Sequence, residues 1–526
     1  EHTSLQQKPD TIFCQMKITL SQINPRTNKF DYNAALIKEA FEKTDKDTLL
    51  LFPELSLSGS PLYGLTAYDE VFSNSAKQIK ELCTAKRDFM VGLPLIREGK
   101  KYNAIAFVEK GELKALSTKR NLGNFDNGFA EGQGIKQIQY KEKTIAFGFL
   151  ADLEDFVGSS AKADLIICLS NEVFEIGKQE KILQYLQTMA ATLACPLAFL
   201  NRCGAEGRYI FGGGSLVILP SGEIAEQYPL FEPETKVMES EALHAVPKRQ
   251  ISKPEQLYGA AVTGIRDYFA KNNIGKAVIG LSGGIDSALV AVLAVHALGK
   301  DKVIGILMPS EYSTSHSLTD AVASAENLQM KYHIIPIKES FSSILSAVQP
   351  VFANLPFGLA EENLQSRIRC CILMAVANKI GAALLNTSNK SEAAVGYGTL
   401  YGDTSGGIGA IGDMYKTEVW ELSRWINRNG EVIPENSITK APSAELRPEQ
   451  KDSDSLPEYD VLDKILYQHL EQQKDREEII SQGFDTAVVD KILRLVRINE
   501  WKRRQAAPSL KMSSCTFGID RSVPVS

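Results

Sequence analysis

The chain has 526 residues, a formal net charge of −6 and 44% hydrophobic residues, which is enough for two or more domains at about 150 residues each. No run of Lys and Arg with interleaved aromatics occurs, which argues against a nucleic-acid surface. No apolar run is long enough to suggest a membrane span. The eight cysteines stand singly apart from Cys370-Cys371, without CxxC pairs or matching histidines. No zinc site is therefore expected, and a reduced, cytoplasmic protein is. No signal-peptide h-region precedes MKITLSQINP, so residues 1 to about 15 read as a polar extension.

From 16 to 230, short apolar strands alternate with helical stretches: MKITLSQI, TLLLFPEL, FMVGLPLI, NAIAFVEKG, TIAFGFLAD, ADLIICLS, LAFLNRC and SLVILP. That many strands with few helices predicts an α/β layered sandwich. Residues 231–256, rich in Pro and Glu, read as a linker. From 257 to 526 the alternation becomes regular. KAVIGL, KVIGILMP, YHIIPI and AALLNTS are predicted strands separated by helices, the pattern of a doubly wound parallel sheet. Ligands of such sheets sit at the C-terminal strand ends, where Ser282, Pro309, Pro336 and Thr387 fall.

The segment KAVIGLSGGIDSALVAVLAVHALG is the most informative. An apolar strand runs into Ser282-Gly283-Gly284-Ile285-Asp286-Ser287 and then a helix. Small residues let backbone N–H groups and two hydroxyls close around a pyrophosphate at the helix start, and Asp286 is placed to hold Mg²⁺ against it. The lysine of GxxxxGK[ST] is missing, which excludes the common P-loop. The plain alternative is a glycine-rich turn. The segment resembles the PP-loop of ATP pyrophosphatases.

With GLSGGIDSALV, MPSEYST, EENLQSRIR, NTSNKSEAAVGYGTLYGD, KAPSAELRPEQKDSDSLPEYDVLD and NEWKRRQA, the C-terminal half resembles the NAD synthetase family, and the whole chain its two-domain, glutamine-dependent form. The resemblance implies a PP-loop domain that adenylates the nicotinate carboxylate of deamido-NAD with ATP, after which ammonia displaces AMP. It places ATP at Gly280, Leu281, Ser282, Gly283, Gly284, Ile285, Asp286, Ser287, Thr387, Lys416 and Ser443. Mg²⁺ falls to Asp286 and Glu392, and deamido-NAD to Asn363, Arg367, Glu392, Asp403 and Lys502. It also implies a homo-oligomer.

On the helix of ENLQSRIR, Asn363 and Arg367 are four apart and share one face, while Leu364, Ile368, Cys371 and Ala375 form a stripe expected to pack inward. Structural alternatives stand beside these roles. Glu392 could be an acid at a helix N-terminus, Lys416 and Lys502 surface charges, and Arg367 a partner of Glu361 or Glu362. Cys370-Cys371 reads as core packing rather than redox chemistry.

The N-terminal half resembles the nitrilase-like amidase domain that releases ammonia from glutamine, an α-β-β-α sandwich whose chemistry needs a cysteine, a glutamate base and a lysine. Glu54 in LLFPELSLSG fits the base and Lys119 in STKRNLGNF the lysine, with Gly123 in place of the usual proline. The nucleophile should end a strand in a motif like ICEDLW. The matching strand reads TIAFGFLADLEDF, placing Leu150 there, or Ala151 one residue on. Glu172 stands where a small hydroxyl residue should bind substrate.

Glu54 and Lys119 can persist as a buried pair after catalysis is lost. The expected activity is therefore NAD synthesis from free ammonia. The alternatives are a glutamine-dependent enzyme in which Cys168 or Cys203 replaces the nucleophile, and a non-catalytic two-domain scaffold. Other PP-loop ligases, such as GMP or asparagine synthetases, would lack the EENLQSRIR and NKSEAAVGY blocks.

Overall fold

The structure is a computed structural model describing residues 16–157, 162–353, 355–447 and 450–525. The extension at 1–15 lies outside them. The chain divides into two compact units, one formed by Glu1–Glu172, Glu180–Gly204 and Phe211–Arg249, the other by Val173–Gln179, Ala205–Ile210 and Gln250–Ser526.

The first unit carries β1 (Lys17–Gln22), α1 (Phe30–Glu42), β2 (Thr48–Leu51), α2 (Asp69–Cys83), β3 (Asp88–Arg97), β4 (Lys100–Glu109), β5 (Glu112–Thr118), β6 (Lys136–Tyr140), β7 (Lys143–Phe149), α3 (Leu153–Val157) and β8 (Leu165–Ser170). Then come α4 (Lys178–Leu193), β9 (Leu197–Asn201), β10 (Cys203–Glu206), β11 (Tyr209–Gly212), β12 (Leu216–Ile218), β13 (Ile224–Gln227) and β14 (Glu234–Glu239), with the first two residues of α4, the end of β10 and the start of β11 falling in the second unit. Two six-stranded sheets form, in the orders β14-β1-β2-β3-β4-β5 and β13-β12-β9-β8-β7-β6. Ile18, Leu49, Met90, Phe147, Ile167 and Leu200 pack together between them. The outer face of the first sheet packs with Ile37 of α1 and Phe72 of α2, that of the second with Phe156 of α3 and Leu186 of α4. The expected α-β-β-α sandwich is present.

The segment read as a linker contains a strand. β14, ETKVME, pairs antiparallel with β1, Met238 opposite Ile18. Met238 is buried while Val237 is 41% exposed. An edge strand needs one apolar face only, so its Glu and Lys disguised it.

The second unit holds α5 (Lys253–Lys271), β15 (Lys276–Gly280), α6 (Ile285–Leu298), β16 (Val303–Leu307), α7 (Ser315–Asn327), β17 (Lys331–Ile334), α8 (Lys338–Phe352), α9 (Leu359–Ile380), β18 (Ala382–Asn386), α10 (Lys390–Val395) and β19 (Ile408–Gly409). α11 (Lys416–Ile426), α12 (Glu435–Thr439), α13 (Tyr459–Leu470), α14 (Arg476–Ser481), α15 (Thr486–Ile498) and α16 (Glu500–Arg503) follow. The sheet is parallel throughout, in the order β17-β16-β15-β18-β19. The chain leaves β15 toward one edge and returns to β18 on the other side, so the crevice of the strand-order reversal opens at the end of β15.

One expectation about α9 fails. Ile368 is buried and Leu364 partly so, but Cys371 and Ala375 are exposed. The inward stripe runs instead through Leu364, Ile368, Ile372, Val376 and Ile380, each four residues on, with Ala377 beside it, and leaves Cys371 and Ala375 on the other side. No helix among the described residues is long and apolar enough to cross a membrane.

Candidate functional site

Leu281 N donates to Ile306 O at 3.0 Å, so the chain keeps its strand direction into the loop and turns at Gly283. Gly283 has φ +81°, and a Cβ there would lie 2.1 Å from the Ser317 carbonyl oxygen. Only glycine fits. Ser437 Oγ donates to Gly283 O at 3.0 Å, Ser287 Oγ to Gly284 O at 3.0 Å, and Gly284 N to Ser282 Oγ at 3.2 Å. Gly284 caps α6 without a side-chain bond, so the helix offers backbone N–H groups and its positive dipole end to an anion.

Asp286, on the first turn of α6, pairs with Lys416 through one oxygen, while Asn389 Nδ2 donates to the other at 3.1 Å. Asn389 caps α10 reciprocally with Glu392: Glu392 N donates to Asn389 Oδ1 at 2.9 Å, and Asn389 N to a Glu392 carboxylate oxygen at 3.3 Å. Asp452 accepts from Tyr459 at 2.9 Å and Tyr397 at 3.0 Å. Burial, with the Asp286 charge beside it, pushes Glu392 well above the ordinary carboxylate range. Burial alone would lower Lys416, but Asp286 and Glu392 outweigh it and hold its pKa above that of a free lysine. Asp286 and Glu392 both act on the Lys416 ammonium, so one cation serves two carboxylates. Two carboxylates with room for water fit Mg²⁺.

A cavity of about 310 Å³ opens above these groups. It is lined by Gly280 to Ser287, by Thr387, Glu392, Asp403, Lys416 and Ser443, and also by Ser366, Arg369, Cys370 and Asp452. A second cavity, of about 530 Å³, shares Asn386, Ser388, Glu392 and Tyr397 with it and adds Arg208, Lys502, Arg503, Arg504, Ser509, Phe517 and Gly518. Lys502 Nζ donates to Gly396 O at 2.9 Å and Gly398 O at 3.1 Å.

Asn363 and Arg367 line neither cavity. Asn363 Oδ1 accepts from Thr399 Oγ1 at 2.8 Å, and Arg367 Nε donates to Leu400 O at 3.2 Å, so both tie α9 to the turn after α10. The face of α9 toward the first cavity is Ser366, Arg369, Cys370 and Leu373, three and four residues apart as one helical face requires. Arg369 sits two places from Arg367 in QSRIR, and only the facing direction separates them. Asp452 was missed as well, since two acids stand close together in KDSDSLP without a period to single one out. Cys370 therefore lines a cavity instead of filling a core.

Behind the site, Lys390 is fully buried and paired with Asp413 at 3.0 Å and Glu471 at 2.5 Å. These pairs anchor the start of α10, which carries Asn389 and Glu392 at its own end.

In the first unit, Lys119 Nζ lies 2.8 Å from both Glu54 and Asp126, and Asn103 Nδ2 donates to the same two carboxylates. Burial raises Glu54 above the ordinary range against the pull of Lys119. Burial would lower Lys119, but Glu54 and Asp126 together raise it. The Phe149 ring lies 5.6 Å from Lys119 Nζ, so the chain just before Leu150 runs beside the pair. The Leu150 side chain packs against the core under α3 and α4. Ala151 follows in the same short helical turn.

Cys168 belongs to that apolar core too, and burial pushes its thiol up to about 12. This is the wrong direction for a nucleophilic thiolate. The Cys203 thiol is buried, 3.9 Å from Gln22 O. Glu172 N donates to Asn201 Oδ1 at 2.9 Å.

The NAD synthase family profile matches residues 257–506. The chain is 39% identical over 546 aligned positions to a glutamine-dependent NAD(+) synthetase of Synechocystis sp., covering 97% of this chain and 98% of that one. It is 36% identical to the Thermotoga maritima protein of that name, with the same coverage of each. The solved structure of the glutamine-dependent NAD+ synthetase from Acinetobacter baumannii, in complex with ADP, superposes with a TM-score of 0.78 at 32% identity, covering 97% of this chain and 98% of that one. The chain belongs to the glutamine-dependent NAD(+) synthetase family.

Proposed function

We propose that the protein is an ATP-dependent carbon-nitrogen ligase that amidates deamido-NAD to NAD, taking free ammonia because the amidase-like unit has Leu150 where the nucleophile belongs. The observation that carries the synthetase reading is the first cavity. It joins an anion-accepting helix start, Asp286, Glu392 and the buried Lys416 at the switch point of a parallel sheet. The ADP bound by the Acinetobacter baumannii relative accords with a nucleotide there.

In this reading the N–H groups of Gly284 and the first turn of α6, with the Ser282 and Ser287 hydroxyls, hold the pyrophosphate, and Thr387 and Ser443 contact the nucleotide. A nicotinate carboxylate oxygen attacks the α-phosphorus of ATP and pyrophosphate leaves. Ammonia then attacks the acyl carbon, AMP leaves and a proton is lost. Asp286 and Glu392 would hold Mg²⁺, whose charge neutralises the phosphates and makes AMP a good leaving group. Lys416, buried beside Asp286 in the wall of the same cavity, would supply a positive charge toward the phosphates. The cationic second cavity, with Lys502 at one end and Asp403 in the adjoining wall, takes deamido-NAD. Asn363 and Arg367 support it by fixing the turn at Thr399 and Leu400.

The amidase-like reading of 16–230 is extended through β14, and the synthetase domain starts near α5. Exposed apolar residues on α8 and α9 support a homo-oligomer. NAD formation from deamido-NAD and ATP, with ammonium or glutamine as sole nitrogen source, tests the proposal. Ammonium should support turnover, while glutamine should yield neither NAD nor glutamate. Stoichiometric glutamate and NAD from glutamine would return the protein to the behaviour its relatives' name describes.

A further inference from the structure

We propose that Arg208 is a positioning residue of the second cavity, holding the C-terminal tail in the shape that admits a dinucleotide. The dinucleotide part rests on the reading of deamido-NAD as substrate. Arg208 lies in Ala205–Ile210, a stretch whose contacts place it in the second unit. Its guanidinium gathers three tail carbonyls: Nε donates to Ser509 O at 3.0 Å, Nη2 to Phe517 O at 2.7 Å and Nη1 to Gly518 O at 3.1 Å. Lys511 N donates back to Arg208 O at 2.8 Å. Ser509, Phe517 and Gly518 line the second cavity together with Arg208 itself.

The guanidinium is rigid, planar and always charged, so carbonyls bonded to it are fixed relative to one another as well as to it. The middle of the tail has its own anchor. Asp413 accepts from Met512 N at 2.8 Å, Ser513 N at 2.7 Å and Thr516 Oγ1 at 2.7 Å. The two flanks that wall the cavity are what Arg208 draws together. A lysine keeps the charge but presents a single nitrogen, which cannot reproduce three diverging bonds.

The test uses the full chain with Arg208→Met and Arg208→Lys. Without ligand, amides of 509–518 should exchange at least about tenfold faster in Arg208→Met, while α6 keeps its protection. Deamido-NAD should bind about tenfold more weakly by calorimetry, with the KM for ATP within about twofold of the parent. Arg208→Lys should stay closer to Arg208→Met than to the parent. Unchanged tail exchange overturns the proposal, as does unchanged deamido-NAD affinity, equal weakening of both substrates, or full rescue by lysine. If the parent chain itself fails to bind deamido-NAD, the functional reading falls instead, and tail exchange alone decides whether Arg208 sets the cavity wall.

Discussion

Asp286 is placed by the first turn of α6 and satisfied by Lys416 and Asn389, so its charge can be removed with little change of shape. Asp286→Asn should stay folded, with an unchanged circular dichroism spectrum, and lose roughly 10²-fold or more of the synthetase rate. Near-normal turnover with ATP and Mg²⁺ would take Asp286 out of the metal site. The loop around it was legible because small residues at fixed offsets leave few structural options. Gly283 shows why, since backbone stands where any side chain would go. Arg369 and Asp452 were not legible. Which of two arginines on one helix faces a cavity depends on how α9 packs, and Asp452 is selected by two tyrosine hydroxyls remote or partly remote in sequence.

Helices α10, α11 and α13 meet at Asp463, which accepts from Ser391 Oγ near the start of α10 and, at 2.9 Å, from Thr417 N in the first turn of α11. Burial raises Asp463 from 3.8 to about 6 despite those bonds. The folded protein then binds more protons than the unfolded chain between those values. Stability present below the unfolded pKa is lost as pH rises through the folded one. Asp463→Asn should flatten the fall in stability between about pH 4 and 6 by on the order of 3 kcal/mol, read from denaturant midpoints at several pH values. An unchanged slope would mean the carboxyl titrates normally.

At this scale the apolar strands were legible because both faces of β2, β8 and β9 are buried and their sequences are continuously hydrophobic. The sheet edges were not. β5 (ELKALST), β6 (KQIQY) and β14 are buried at only one or two positions each, and α8 has no buried residue to impose a period on its surroundings.

For the whole molecule, α8, α9 and the segment between them expose Val351 at 81%, Leu355 at 75% and Leu359 at 71%, and Phe357 and Met374 are exposed as well. Large exposed apolar side chains are the kind that an association surface covers. Sedimentation should give a mass above the monomer, and Val351→Lys with Leu359→Lys should shift it downward. A concentration-independent monomer mass in the parent chain would refute the assembly.

The contrast between Cys370 and Cys371 has an analytical use. Cys370 lines the first cavity and its neighbour is exposed, and both follow Arg369 in one tryptic peptide ending at Lys379. Mass spectrometry after brief alkylation thus reads a covered thiol against an internal standard one residue away. ATP with Mg²⁺ should slow modification of Cys370 and leave Cys371 unchanged, giving site occupancy directly, without turnover and without a label on the nucleotide.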